Sequence, residues 1–538
     1  MSVRPARNGK AVPVLTPEEA AALIEDGGVV TISSSSGLGC PDATLAAIGE
    51  RFRASGSPRG ITAIHPIAAG DMYGIKGIDH LAQLGLLSRV IAGSFPSGPS
   101  SMEPPAIRRM IDAGEVEAWN LPSGSIFQMH RAGASRQPGV LSKVGLDTFV
   151  DPRRQGGALN GTSPDGLVRV EQFDGEEWLF YPALTPDVAI IRATSADEHG
   201  NLSTEHEGSP LGALDQAYAA HNHGGLVIAQ VKRLVKAESI PPQQVRVPGI
   251  IVDAVVVVPD QLQTTQTLYD PALSGELVVP NGDVEALEWG LEKVIARRAA
   301  SELRRGWVVN LGFGLSSGIP RVLLEEGCEE DVTWVIEQGP IGGFPLTGFA
   351  FGCAHNADAI LQSPDQFTLL QGGGFDAACL SFMEVDQRGN VNVSLLPSKT
   401  HVSAGVGGFA DITSAAPRIV FSGYFNAGRR TIEVGDGRLR IVEDGAVPKF
   451  VPEVAQVTFS GRRALETGQQ VVFVTERCVL ELRPGGLTVT EIAPGIDLSR
   501  HVLDVAPIPL QVADDLATMD RKLFCDLPLG LHLNGVPE

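Results

Sequence analysis

The sequence predicts an α/β protein built from two tandem, related α/β domains with mainly parallel sheets and an active site between them. Three observations predict it. Helix-like and strand-like patterns alternate along the chain. A block of helix, strand, glycine turn and helix occurs twice, and so does a block of strand, Gly-Asn turn and strand. Alternation of this kind implies βαβ crossovers and parallel pairing. A cleft between two paired domains is the usual place for a small-molecule site.

The first block is LTPEEAAALIEDGGVVTISSSSGLGCPDATLAAI. Thr16, Pro17 and Glu19 form a capping-box pattern with proline at the first helical position. Gly27 ends that helix, and Val29 and Val30 begin a strand. Residues 283–325 repeat the plan: DVEALEWGLEKVIARRAASELRRG predicts a helix, and WVVNLGFGLSSGIPRVLLEE a strand, a glycine turn and a helix. Laid over each other without a gap, Val29 meets Val308, Ile32 meets Leu311, Gly39 meets Gly318 and Pro41 meets Pro320. The second pair is VAIIRATSADEHGNLS (188–203) and AACLSFMEVDQRGNVNVS (377–394), matched through Asp197/Asp386, Gly200/Gly389 and Asn201/Asn390. The two offsets differ, so the first half carries an extra segment between its blocks. A Pro-rich, weakly periodic stretch at 259–282 separates the halves, which places the domains at 1–282 and 283–538.

Composition narrows the function. At 538 residues the chain exceeds what one hydrophobic core usually serves. A net charge of −21 with no compensating basic run argues against nucleic acid and against an anionic membrane surface. No apolar run reaches the roughly 18 residues a membrane helix needs. The opening residues MSVRPARNGKAVPVLTPEE lack an apolar h-region, so no secretory signal is expected. The six cysteines show neither CxxC nor metal-type spacing and are read as reduced, in a cytoplasmic protein. His221 and His223 in AAHNHGG have no third ligand nearby, so they are read as a structural loop, and no metal is expected.

Three motifs compete for the chemistry. GLSSG at 314–318 is formally GxSxG between a strand and a helix, the setting of a hydrolase nucleophile, with Ser316 as the reacting group. The repeat undercuts it, because Ser316 aligns with Gly37. In GFGLSSG, Gly312 and Gly314 are spaced to let a phosphate or thioester approach backbone N–H groups at a helix N-terminus, although the spacing is not that of a dinucleotide fingerprint.

The third motif begins at VTWVIEQGPIGGFP, residues 332–345. Val332 to Ile336 are types that fill a strand covered on both faces, and a carboxylate, Glu337, follows at once. Burial penalises a carboxylate unless it is paired, hydrogen-bonded or used. The strand ITAIHPIAAG (61–70) is the first-half counterpart, and there Pro66 stands in the place of Glu337. The turn therefore does not require the acid. Glycine clusters follow at Gly342-Gly343, Gly372-Gly373-Gly374 and Gly405 with Gly407-Gly408. Glycines of this kind aim backbone N–H groups at a developing oxyanion.

These stretches resemble the family I coenzyme A transferases, in particular the acetate, propionate and 3-oxoacid group in which two CoA-transferase domains are fused. The resemblance covers nearly the whole chain, through AGDMYGIKGIDHLAQLGLLSRVIAG, GVLSKVGLDTFVDPRRQGGALN, EEWLFYPALTPDVAIIRATSADEHGNLS and AAHNHGGLVIAQVKRL, then IEQGPIGG, FGCAHNADAI, QGGGFD and VDQRGNVNVS. It implies that Glu337, in its Glu-x-Gly turn, is the nucleophile of a ping-pong transfer of CoA between short-chain carboxylic acids. It implies too that the GVGGF backbone around Gly407 and Gly408 helps form an oxyanion hole. The substrates would be acyl-CoA and a free carboxylic acid, in short-chain fatty acid or ketone-body metabolism, with no cofactor beyond CoA as substrate. A homodimer or homotetramer is expected. A CoA-thioester hydrolase using the same glutamate is the alternative within the resemblance. One departure is that many relatives carry Pro-Gln-Gly where this chain has Pro122-Ser123-Gly124, which bears on acyl preference.

Overall fold

The structure is a computed structural model that describes residues 11–281 and 284–535. It contains two large sheets, one from each half of the chain. The first runs, edge to edge, through Val14–Leu15, Ala254–Val257, Leu226–Val235, Val188–Asp197, Val29–Ile32, Ile61–His65, Leu87–Ala92 and Glu117–Asn120, every neighbour parallel. Its central strand Val188–Asp197 is buried along its whole length, as a parallel strand covered on both faces must be.

The second sheet repeats the centre of the first. Val332–Val335, Trp307–Leu311, Ala377–Ser381, Arg418–Ser422 and Gln470–Val474 are parallel neighbours in that order. Beyond Gln470–Val474 lie an antiparallel meander, Cys478–Arg483 and Gly486–Ile492, and a last strand, Gln511–Thr518. Strand register carries the repeat to single residues. Val29 pairs with Thr62 where Val308 pairs with Thr333, and counting along both strands brings Pro66 opposite the place of Glu337.

The Gly-Asn turns also match atom for atom. Asp197 Oδ1 accepts from the N–H groups of His199 and Asn201, and Asp386 Oδ1 from those of Arg388 and Asn390. Gly200 and Gly389 both take positive φ there, +83° and +74°. The extra segment of the first half builds Leu87–Ala92, Glu117–Asn120, the helix Ser123–Ala134 and a small three-stranded sheet.

The N-terminal cap is as the sequence predicts: Thr16 and Glu19 hydrogen-bond reciprocally at the start of Pro17–Ala22. One expectation changes. The helix expected from residue 283 begins only at Leu291, after Gly290, and runs to Ala300. Leu287 and Trp289 pack against the core instead of continuing a helical turn. The stretch at 259–281 is packed onto the protein: Gln263, Thr264 and Leu273 are buried, and Gln261 donates to the Ala193 carbonyl. The domain border itself, at 282 and 283, lies outside the described residues. The halves share packing, for Phe127 of the first meets Phe367 of the second at 5.9 Å between ring centroids.

Candidate active site

Glu337 sits just past the buried end of Val332–Val335, where Ile336 is still buried. The turn that presents it is held from several sides. Ile336 N–H donates to Pro340 O, and Gly339 N–H to Ile336 O. Gly339 adopts φ +141°, and a Cβ there would stand 2.2 Å from the Leu361 carbonyl oxygen. Gln338 O accepts from the hydroxyls of Ser209 and Ser363, the first contributed by the other half. The Gln338 side chain is 2% exposed, and its amide donates to Glu337 Oε1 (3.1 Å) and to Ser35 Oγ (3.4 Å). Ser35 belongs to the glycine turn of the first half, so both halves build the site.

No Lys or Arg among the described residues lies within ion-pair distance of Glu337. Burial therefore dominates and pushes its carboxyl up to about 7, against the Gln338 hydrogen bond, which pulls it down. A half-buried carboxylate of raised basicity with no cation beside it is a candidate functional group.

The GVGGF segment approaches from the opposite side. A Cβ on Gly408 would lie 2.0 Å from Glu337 Oε2, so only glycine lets the backbone come this close. The segment is docked on the first half. Val406 N–H donates to Asn120 Oδ1 at 2.8 Å, Gly407 N–H to Gly93 O at 2.7 Å, and Ser123 N–H to Gly407 O at 2.9 Å. The Gly407 N–H is thus committed within the protein. Gly408 N–H has no partner among the described residues. Of the two glycines expected at an oxyanion hole, only Gly408 offers a free donor.

The other expected glycines are elsewhere. Gly372, Gly373 and Gly374 end the helix Ser363–Gln371, with Thr368, Ala415 and Leu369 as their near neighbours, and so serve a helix-to-strand turn. Gly312 N–H is committed to Cys379 O, and Gly314, at φ +95°, abuts Ser381. Ser316 is fully buried, its hydroxyl near Gly312 O (3.4 Å) and Ser381 Oγ (3.3 Å), with no histidine among its partners. Phe344 is core, whereas Phe349 and Phe351 meet the exposed rings of Tyr73 and Phe313 beside Gly352, which lies over Gln338. Ser123 is buried and its hydroxyl has no hydrogen-bond partner among the described residues, whereas its backbone N–H serves the glycine loop.

Sequence reasoning missed Asp411. It is 0% exposed and stands one turn beyond Gly408 in the short helix Phe409–Thr413. Its carboxylate accepts from Gly124 N–H at the N-terminus of Ser123–Ala134 (3.0 Å) and from Gln371 Nε2 (2.7 Å). Burial pushes its carboxyl up to about 7; the bonds from Gln371 and Gly124 oppose this, and the nearby Glu337 adds to it. The available signal was an acid immediately after the glycine loop, in GGFADIT. Asn120, whose amide also binds Ala92 O and Gly93 O, carried none.

This geometry joins a set of relatives. The coenzyme A transferase family pattern matches residues 14–258. The chain is 40% identical over 538 residues to the acetate CoA-transferase YdiF of Escherichia coli K12, covering 99% of this chain and 98% of that one. It is 39% identical over 517 residues to the caffeate CoA-transferase of Acetobacterium woodii, covering 95% and 97%. It superposes on the crystal structure of the acyl-CoA transferase YdiF from Escherichia coli O157:H7, in a thioester complex with CoA, with a TM-score of 0.90 and 38% identity, covering 99% of this chain and 100% of that one. The chain belongs to the family I coenzyme A transferases and is an enzyme that transfers CoA.

Proposed function

We propose that this enzyme moves CoA between short-chain carboxylic acids by ping-pong kinetics through a glutamyl-CoA thioester on Glu337, with each half, 1–282 and 283–538, acting as one CoA-transferase domain. The observation that carries the reading is the Glu337 carboxylate, with no cation beside it among the described residues and pressed against the Gly408 backbone where the halves meet. A Glu337 oxygen attacks the acyl-CoA carbonyl, the C–S bond breaks, and an acyl-glutamyl anhydride and CoA thiolate result. The thiolate attacks the glutamyl carbonyl, forming the new C–S bond and expelling the first acid as its carboxylate. An incoming carboxylate then attacks the thioester, and the same two steps in reverse return Glu337 and a new acyl-CoA. Gly408 N–H is aimed where negative charge develops on the carbonyl oxygen. The apolar strand behind Glu337 and the buried Gln338 limit water, whose attack would end the cycle in hydrolysis.

The test is the intact mass of the protein after incubation with acetyl-CoA and other acyl-CoAs. An adduct of CoA mass, less one water, is expected on the wild type and not on Glu337→Ala. An adduct on both, or on neither while transfer proceeds, overturns the reading. Thiol release that needs no acceptor acid would assign hydrolysis instead.

A further inference from the structure

The segment that carries Gly408 is anchored in the half that does not contain Glu337. Val406 and Ala410 are buried in a core cluster otherwise built by the first half, among residues such as Ile126, Met129 and Tyr181. Gly408 lies between them in the chain and faces Glu337 instead. Its position is therefore set by how this segment grips the first half, not by the turn that presents the nucleophile.

The polar part of that grip is at the start of the helix Ser123–Ala134. Pro122 precedes it, has no side-chain acceptor, and no side chain of the helix's own first turn caps it. The first N–H groups of a helix need acceptors from elsewhere. Ser123 N–H finds Gly407 O, and Gly124 N–H finds the Asp411 carboxylate at 3.0 Å. One segment of the second half thus caps a helix of the first, and a negative charge suits that end of the helix dipole. Gln371 Nε2 donates to Asp411 at 2.7 Å, and Gln371 Oε1 accepts from Gln128 Nε2, one helical turn beyond Gly124. The contacts close a ring from Gly124 through Asp411 and Gln371 to Gln128. A Cβ on Gly124 would stand 2.7 Å from both Asp411 Oδ1 and Gln371 Nε2, so the ring requires glycine there. Asp411 is in turn fixed relative to Gly408, because Ile412 N–H donates to Gly408 O at 2.9 Å and closes the intervening turn. No Lys or Arg among the described residues is paired with Asp411, so no ion pair accounts for burying it.

We propose, resting on the CoA-transfer reading above, that Asp411 is a positioning residue for the transfer reaction: by capping the first half's helix it holds the Gly408 N–H against the Glu337 carboxylate. It makes no hydrogen bond to Glu337 and acts through Gly408. Asparagine can occupy the same place. Its oxygen accepts from Gly124 N–H, and its amide donates to Gln371 Oε1 once the Gln371 and Gln128 amides turn over together. Alanine holds neither bond.

The test is steady-state transfer from acetyl-CoA to a second acid in the full-length protein, at a pH above the rising limb, with thermal melting as the check on folding. Asp411→Ala is expected to lower kcat about tenfold or more while KM for acetyl-CoA changes less than about threefold, as displacement of a transition-state donor does. Asp411→Asn should bring kcat back to within about threefold of the wild type, because the clamp survives without the charge. Gly124→Ala is the second variant, and it decides if Asp411→Ala does not fold. Alanine favours the helix, but its Cβ pushes on Asp411 and Gln371, so kcat should fall while the melting temperature holds. The double variant should lose no more than the worse single one, since both act through one contact. A folded Asp411→Ala or Gly124→Ala protein within about threefold of wild-type kcat, an asparagine variant as slow as the alanine one, or losses that multiply would overturn the assignment. All these proteins keep Glu337, so the comparison among them is read apart from the CoA-mass adduct on the wild type, which alone decides the covalent step.

Discussion

Gly408→Ala isolates the contact on which the mechanism turns. Gly408 has φ −84° and ψ −2°, a conformation that alanine adopts without strain, so the backbone accepts the change. The new Cβ would stand 2.0 Å from Glu337 Oε2 and 2.8 Å from Phe367 Cε1. Ordinary contact begins near 3.4 Å, so the carboxylate must retreat by about 1.4 Å. It has little freedom to do so while its other oxygen is held by Gln338 at 3.1 Å and Phe367 is packed on Phe127. A misplacement of about 1 Å costs roughly 100-fold when the reacting atoms must meet in line, or about 2.7 kcal/mol of barrier. We expect kcat to fall at least ~100-fold while KM changes less than about threefold and the melting temperature shifts by only a few degrees. Gly407→Ala is the matched control. There a Cβ meets nothing within 4 Å, but φ is +51°, so the penalty is roughly 1–2 kcal/mol of backbone strain and falls on stability. Steady-state transfer from acetyl-CoA to a second acid, with thermal melting followed by circular dichroism, measures both. A folded Gly408→Ala protein within threefold of wild-type kcat, or a larger kcat loss in Gly407→Ala, would refute the placement of Gly408 against the nucleophile.

Glu337→Asp keeps the charge but withdraws the carboxylate by about 1.5 Å, so transfer should fall more than ~100-fold and residual turnover should shift toward hydrolysis. Acceptor-dependent acyl-CoA formation and acceptor-independent thiol release, followed in one preparation, check this, and an unchanged ratio at near wild-type rate would contradict it. In the wild type, kcat/KM should rise with pH through about 7, as the Glu337–Asp411 pair ionises and the nucleophile loses its proton. Asp411→Asn removes a neighbouring charge that disfavours ionised Glu337, so the rising limb should move to lower pH; a pH–rate profile in which it stays or moves upward is the contrary result. Ser316→Ala should retain activity within about threefold, since that hydroxyl is buried in a turn, as neutral substitutions away from chemistry usually do. A loss matching that of Glu337→Ala would return the serine to the mechanism.

The sequence by itself determined the features that rest on local chemistry. The capping box at Thr16, the β-branched runs of the central strands and the paired Asp-x-x-Gly-Asn turns depend on neighbours within a few residues. For that reason they were readable in order along the chain. The repeat added one longer-range inference, that Glu337 replaces Pro66 at a turn with no need of an acid, and the matching strand registers carry the same correspondence. Tertiary structure alone decided what surrounds the acid. Gln338 reaches Ser35 across 303 residues of sequence and Asp411 reaches Gly124 across 287, and no local pattern encodes either contact. Glycine clusters alike in sequence part company for the same reason: Gly408 faces the carboxylate, Gly407 gives its N–H to Gly93, and Gly372 to Gly374 turn a helix end. Glycine frees the backbone but does not say what will approach it. Desolvation, which raises the basicity of Glu337 and Asp411, is a property of what packs around a group, and only the folded chain supplies that.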